Sequence, residues 1–230
     1  MSKNRSGASG RSAAASASAP VSRVVEVTQG LRELIIDGTL LPGAPLREAE
    51  LAEQFGVSRN TLREVFRSLG QEGVLTQIPN SGARVAIPSI TSIIDIFRVR
   101  RIIEGQALLQ SFPKHPAIAG MGRAVEQAER ARAKQDWRGV GTANVAFHSA
   151  IIALTDSARL ARIFDSLSAE LRLAFGLVDD PEYLHAPFLD RNREILELVE
   201  AGDAPAAALA LDGYLMRAER LLLAAYERLG

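Results

Sequence analysis

Gly73 divides two kinds of hydrophobic spacing, and this change constrains the fold more than any other feature of the 230-residue chain. Before it, Val24, Val27, Leu31, Leu34 and Ile35 recur at helical intervals and stop at Asp37-Gly38, with Pro42-Gly43 just beyond. A short second helix is predicted from about Glu48 to Phe55 on Leu51, Ala52 and Phe55, ending at Gly56. A third opens at Ser58, a residue suited to capping, and runs to about Gln71 on Leu62, Val65, Phe66 and Leu69. After Gly73 come Val74-Leu75-Thr76-Gln77-Ile78 and Ala83-Arg84-Val85-Ala86-Ile87, two strand-like runs around the turn-forming Pro79-Asn80-Ser81-Gly82. Three helices followed by a hairpin make a winged helix-turn-helix plan, expected over residues 21–87.

The rest of the chain reads as helix after helix. Residues 1–20 hold Ser, Ala, Gly and three cations without apolar periodicity, so a disordered tail is expected there. Pro88-Ser89 suggests a linker over 88–91. Helices are expected near 92–111, 117–135, 137–154, 157–177, 187–201 and 204–229, divided by Pro113/Pro116, Asp136, Asp156-Ser157, Asp179-Asp180-Pro181 and Gly202-Asp203. The fold class is therefore mainly α: a winged helix-turn-helix followed by an all-α six-helix bundle over 92–230.

Composition narrows the chemistry. With no Cys, disulfide frameworks, Cys-based zinc sites, iron–sulfur clusters and cysteine nucleophiles are excluded. No apolar run reaches the roughly 18 to 20 residues of a membrane span, and no apolar core of a secretory leader opens the chain, so no membrane partner and a cytoplasmic location are expected. Lys plus Arg balance Asp plus Glu at 27 each, and 24 of the cations are Arg, a residue suited to bidentate phosphate and guanine recognition; an Arg-rich coding bias explains the same count.

In LAEQFGVSRNTLREVFRSL, Ala52 lets two helices approach, Gly56 supplies the turn, and Val57 and Leu62 bury the inner face. The remaining face carries Ser58, Arg59, Asn60, Thr61 and Arg63 at the start of the third helix, where free backbone N–H groups already favour phosphate. An Arg pair four apart on a helix is often just a solvated face, with Arg63 paired to a nearby Glu such as Glu53. The helix-turn-helix context, with the basic Arg84 on the wing, points instead to DNA, with base-edge and phosphate roles left open.

The run LREAELAEQFGVSRNTLREVFRSLGQEGVLTQIPNSGARVA resembles the DNA-binding domain of the GntR family of bacterial transcriptional regulators. That resemblance implies operator contacts by Arg59 and Arg63, operator-dependent choice at Asn60 and Thr61, and a wing turn, Asn80, Ser81 and Gly82, that reaches the minor groove. Where some relatives carry Arg before the second helix's E-L pair, this chain has Ala49, so that contact is either missing or supplied by Arg47.

Residues 91–230 resemble the FCD-type effector domain of the FadR subfamily, closer to its shorter VanR-like branch. The motifs are Arg100–Glu104, Asn144–His148 in NVAFHSAI, and Ala201-Gly202-Asp203-Ala204-Pro205-Ala206-Ala207. Asn144 and His148 are four apart on one helix and point the same way; a His behind Phe147 also reads as a hydrogen-bonded core residue. Many such domains hold a divalent cation through an Asp or Asn and three His, and the positions matching the last two His here are Asn192 and Tyr214. A neutral amide and a phenol are weak partners for zinc-like ions, so no cofactor is expected. Any metal would fall to His148 with Asn144, and the one substitute ligand, His185, is expected in a loop. The resemblance instead implies a metal-free effector pocket of Arg100, Asn144, His148, Asn192 and Tyr214, suited to a small organic acid or related polar metabolite; the alternative is a polar cluster that satisfies its own hydrogen bonds. Trp137, Leu167, Leu171 and Phe175 read as core or dimer packing.

The expected function is a ligand-responsive transcriptional regulator, a repressor, that binds a palindromic operator in double-stranded DNA as a homodimer. Two alternatives are a metal-dependent enzyme on a helical bundle and a nonspecific architectural DNA binder. Three His, no paired E-x-x-H motifs, no nucleophile elbow and no phosphate loop oppose the first. A near-zero net charge opposes the second, since nonspecific affinity rests on many phosphate contacts.

Overall fold

The computed structural model describes residues 20–78 and 82–228. The tail expected at 1–20 lies outside the described residues except for Pro20, which opens helix α1 (Pro20–Ile36). Asp37 and Gly38 end α1, Gly38 taking a φ of +80°, a left-handed value that glycine adopts without a Cβ penalty. A two-residue strand β1 (Pro45–Leu46) follows, then α2 (Glu48–Gln54) and α3 (Arg59–Gln71). Strands β2 (Leu75–Ile78) and β3 (Gly82–Val85) pair antiparallel with Ile78 opposite Gly82, and β1 adds to the other side of β3. The wing is thus a three-stranded sheet in the order β1-β3-β2, because Pro45-Leu46 extends the expected hairpin by a strand too short to show a pattern.

Helix α4 (Ile90–Leu109) begins two residues before the expected position, because the Ser89 hydroxyl accepts the Ser92 N–H and caps it. Ile90 and Thr91, expected in the linker, are therefore helical. The other expected helices are α5 (Ala117–Ala133), α6 (Trp137–Ala153), α7 (Ala158–Gly176), α9 (Leu189–Glu200) and α10 (Ala204–Tyr226). A further short helix, α8 (Pro181–His185), occupies the stretch expected to be a loop, and a 3₁₀ turn over Ala186–Phe188 takes the place of the first residues of the helix expected from 187. Asp180 caps α8 by accepting the Tyr183 N–H, and Pro181 sits where its missing N–H costs nothing. No helix among the described residues is long and apolar enough to cross a membrane.

Two apolar cores form. The bundle buries Phe97, Leu108, Met121, Phe147, Ile151 and Tyr214 between α4, α5, α6 and α10. Leu171 belongs to this core, with Leu167 and Phe175 packed against it. The winged domain buries Leu31, Ile35, Leu62, Phe66, Leu69 and Val74, and its core is completed by Ala169 and Leu173 from α7. Helix α7 is therefore shared. Next to it, Glu72 at the end of α3 binds Arg32 of α1 at 2.5 Å and accepts the Ser166 hydroxyl of α7 at 2.8 Å.

Candidate DNA interface and effector pocket

Ser58 stands before α3 with extended backbone, and its Oγ accepts the Thr61 N–H at 3.1 Å while lying 2.9 Å from the Thr61 hydroxyl. The cap fixes where α3 starts, and with it the faces on which the following side chains stand. Leu62, Val65, Phe66 and Leu69 turn inward. Arg59, Asn60 and Arg63 are exposed and Thr61 is half-buried. On the other side of the turn, the Arg23 guanidinium donates to the Phe55 carbonyl at 2.5 Å and ties α1 to the end of α2.

Arg63 Nε donates to Glu48 Oε2 at 3.0 Å, so the partner is the first residue of α2 and not Glu53. Arg63 keeps most of its surface in solvent despite the pair, which is worth little at such exposure. Arg47 is similarly exposed and binds Glu50 at 2.8 Å. Arg84 lies on β3, exposed, with a contact to the Gly43 carbonyl at 3.2 Å. Of the wing turn, Asn80 and Ser81 lie outside the described residues; Gly82 opens β3 at φ +83°.

Between α3 and the wing runs a groove lined by Glu48, Arg63, Arg67, Gln77, Ile78 and Gly82. Arg67 and Gln77 were not among the residues assigned to DNA from sequence. The signal for Arg67 was present: Arg59, Arg63 and Arg67 follow one another at four-residue intervals and make one stripe along α3. Gln77 has no comparable signal.

Inside the bundle, the five expected effector residues do come together, but three of them bond to one another and the other two bond to Glu104. Asn144 Oδ1 accepts from Asn192 Nδ2 at 2.7 Å and from the Tyr214 hydroxyl at 2.8 Å. Arg100 Nε donates to Glu104 Oε1 at 2.6 Å, and His148 Nδ1 donates to Glu104 Oε2 at 2.5 Å. Glu104, fully buried, belongs to the site although only the Arg100–Glu104 spacing hinted at it. Burial works against its charge, yet the cations and donors around it, Arg100 first, hold its pKa below the usual carboxylate value. Burial likewise lowers the His148 pKa, outweighing Glu104. The pair is thus an ionised Glu104 beside a neutral His148. Burial raises the Tyr214 pKa, so its phenol stays protonated as a donor.

Two buried acceptors, His148 Nε2 and Asn192 Oδ1, have no hydrogen-bond partner among the described residues. The space left beside Arg100, Asn144 and His148 is only about 20 Å³, enough for a water. A metal does not fit this donor set: both lone pairs of Asn144 Oδ1 are taken, which leaves one imidazole nitrogen and one neutral amide oxygen, too few and too weak for a zinc-like ion. His185 cannot supplement it from a loop. It ends α8, is buried, and lines a different cavity with Arg172.

Comparison with known proteins places this geometry among regulators. Residues 23–85 match the family described as bacterial regulatory proteins, gntR family, and residues 95–217 match the FCD domain. The chain is 28% identical over 181 residues to a D-xylose utilization operon transcriptional repressor of Paenarthrobacter nicotinovorans, covering 77% of this chain and 78% of that protein. It is 27% identical over 201 residues to the galactonate operon transcriptional repressor of Escherichia coli, covering 78% and 88%. A crystal structure of a GntR transcriptional regulator from Rhodococcus sp. RHA1 superposes with a TM-score of 0.81 at 37% identity, covering 89% of this chain and 99% of that one.

Proposed function

Because the chain belongs to the GntR family of bacterial regulatory proteins and carries an FCD domain, and so is a transcriptional regulator, we propose how it reads DNA and what it answers to. It acts as a homodimeric repressor whose two α3 helices enter successive major grooves of an inverted-repeat operator. The observation that carries this reading is the exposed stripe of Arg59, Arg63 and Arg67 at the open side of α3, next to the groove under the wing. Arg59, Asn60 and Arg63 reach the bases or the phosphates beside them. Ser58 and Thr61 sit at the helix N-terminus where phosphate is favoured, Arg47 and Arg67 hold the backbone, and Asn80, Ser81 and Gly82 form the minor-groove contact. Dimerisation is supported by Ile102, 62% exposed, and Leu109, seven residues apart on one face of α4.

The effector is a small polar metabolite that meets Arg100, Asn144, His148, Asn192 and Tyr214. Support comes from the two unsatisfied acceptors there, His148 Nε2 and Asn192 Oδ1, which call for donor groups such as hydroxyls. Entry requires the internal bonds of Asn144 to open, since the closed space holds no more than a water. The test is to incubate the protein with sheared genomic DNA at about 150 mM salt, where sequence-independent retention is suppressed, and to sequence what stays bound. Sharp peaks sharing an inverted repeat are expected, and Arg63→Ala should abolish them while leaving the far-ultraviolet circular dichroism unchanged. Unaltered peaks with Arg63→Ala would refute the assignment of α3.

A further inference from the structure

The winged domain and the bundle enclose a cleft of about 200 Å³, and its chemistry differs from that of the bundle site. One wall is apolar and comes from the end of α1 and the turn after it, with Ile35, Leu40 and Pro42. The other wall is cationic. Arg172, on the shared helix α7, is only 7% exposed, yet among the described residues no carboxylate lies within ion-pair distance of it. The acceptor it does have is the Arg138 carbonyl oxygen, at 3.5 Å, the outer limit of a hydrogen bond. A guanidinium carries five N–H donors, and a buried charge that lacks a partner is among the costliest features a fold can keep. Burial lowers the Arg172 pKa, and the like charge of Arg138 lowers it further, with Asp37 a partial offset.

Next to Arg172, the ring of buried His185 packs on Phe175, with centroids 5.3 Å apart. Burial and Arg172 push the His185 pKa down to about 3, so the ring is neutral and carries one N–H. Among the described residues neither of its ring nitrogens has a hydrogen-bond partner. Both groups lean over Gly141 of α6: a Cβ at that position would run into Arg172 Nη1 and His185 Nε2 together. The absence of a side chain at residue 141 is what lets the Arg172 guanidinium and the His185 ring lie side by side against α6.

We propose that this interdomain cleft is an anion site for a small apolar acid, whose carboxylate sits between Arg172 and Arg138 with His185 as a further donor. The hydrocarbon part lies against Ile35, Leu40 and Pro42. A volume below that of drug-sized sites favours an acid of a few carbons or one ring over a nucleotide. Asp179 at the rim repels a second charge, which favours a monoanion over a dianion. Because each domain supplies one wall, occupancy strengthens their docked arrangement; if this alters operator affinity, operator must alter acid affinity by the same factor.

The site goes beyond the regulatory reading and is tested without DNA, so failure of one leaves the other standing. Benzoate is titrated calorimetrically into the full chain, with benzyl alcohol and inorganic phosphate as the uncharged and the purely charged probes. One benzoate per chain, no alcohol binding and weaker phosphate binding are expected. Arg138→Ala, at an exposed position that does not threaten folding, should weaken benzoate about tenfold, the scale of one charge-assisted hydrogen bond. Gly141→Ala should weaken it at least as much, and His148→Gln should leave it unchanged. Absence of benzoate binding, tighter binding of phosphate, or an affinity unmoved by Arg138→Ala would overturn the proposal. So would loss of binding in His148→Gln alone, which would put the acid inside the bundle.

Discussion

At the scale of single residues, two buried histidines, His185 and His148, set how this protein responds to acid. His185 has a folded pKa of about 3 against 6.5 for an unperturbed imidazole. The unfolded chain therefore takes up this proton first. The stability contribution is complete above pH 6.5 and is lost as the pH falls toward about 3, at about 1.4 kcal/mol per pH unit. His185→Gln should thus remove about 2 kcal/mol of the loss seen in urea melts between pH 6.5 and pH 5; an unchanged pH slope would show that the ring is protonated in the folded state. His148, lowered first by burial, keeps part of the slope in that variant. The family resemblance placed Arg100, Asn144, His148, Asn192 and Tyr214 in one cluster but could not show which bonds they form, nor that Glu104 takes two of them. Pairing across 48 residues between Asn192 and Asn144, or 70 between Tyr214 and Asn144, is set by how helices pack and leaves no mark in local spacing. His185 was unreadable for a related reason: its helix has five residues, too few for periodicity, and its burial depends on Arg172 and Gly141 from other helices.

Among the elements, α7 has two working faces. Phe164, Ser168, Leu171 and Arg172 line the space inside the bundle, while Ala169 and Leu173 lie in the core of the winged domain. Leu173 is 1% exposed, and Leu173→Ala should cost about 2 to 5 kcal/mol, read as a lower urea midpoint. Weaker operator binding should accompany it, since the cavity opens beneath the helices that present the Arg stripe. A loss under about 1 kcal/mol would mean that α7 merely abuts the winged domain. The helices themselves were legible because each carries its own apolar stripe and its own stop, as at Asp37-Gly38 and Gly202-Asp203. Strand β1 was not, since two residues have no period, and Pro45 and Leu46 become a strand only by lying beside Arg84 and Ala83.

For the whole molecule, the order of the two domains was plain in the sequence, because the helical spacing gives way to strand-like runs at Gly73 and returns after Ser89. How they meet was not, because Ala169 and Leu173 look like ordinary members of an amphipathic helix until α1 is seen against them. The proposed dimer belongs to this scale. Ile102→Glu should convert the protein to a monomer by light scattering behind size exclusion, with helicity retained, and an unaltered dimer would move the interface off this face of α4. A consequence for engineering follows from the shared core. A chimera that joins residues 20–87 to a foreign helical bundle would leave the inner face of α1, with Leu31 and Ile35, in a core that lacks Ala169 and Leu173. Transplanting the DNA specificity of this protein therefore means carrying the outer face of α7 along with it, so the cut that the sequence invites at Pro88 is in the wrong place.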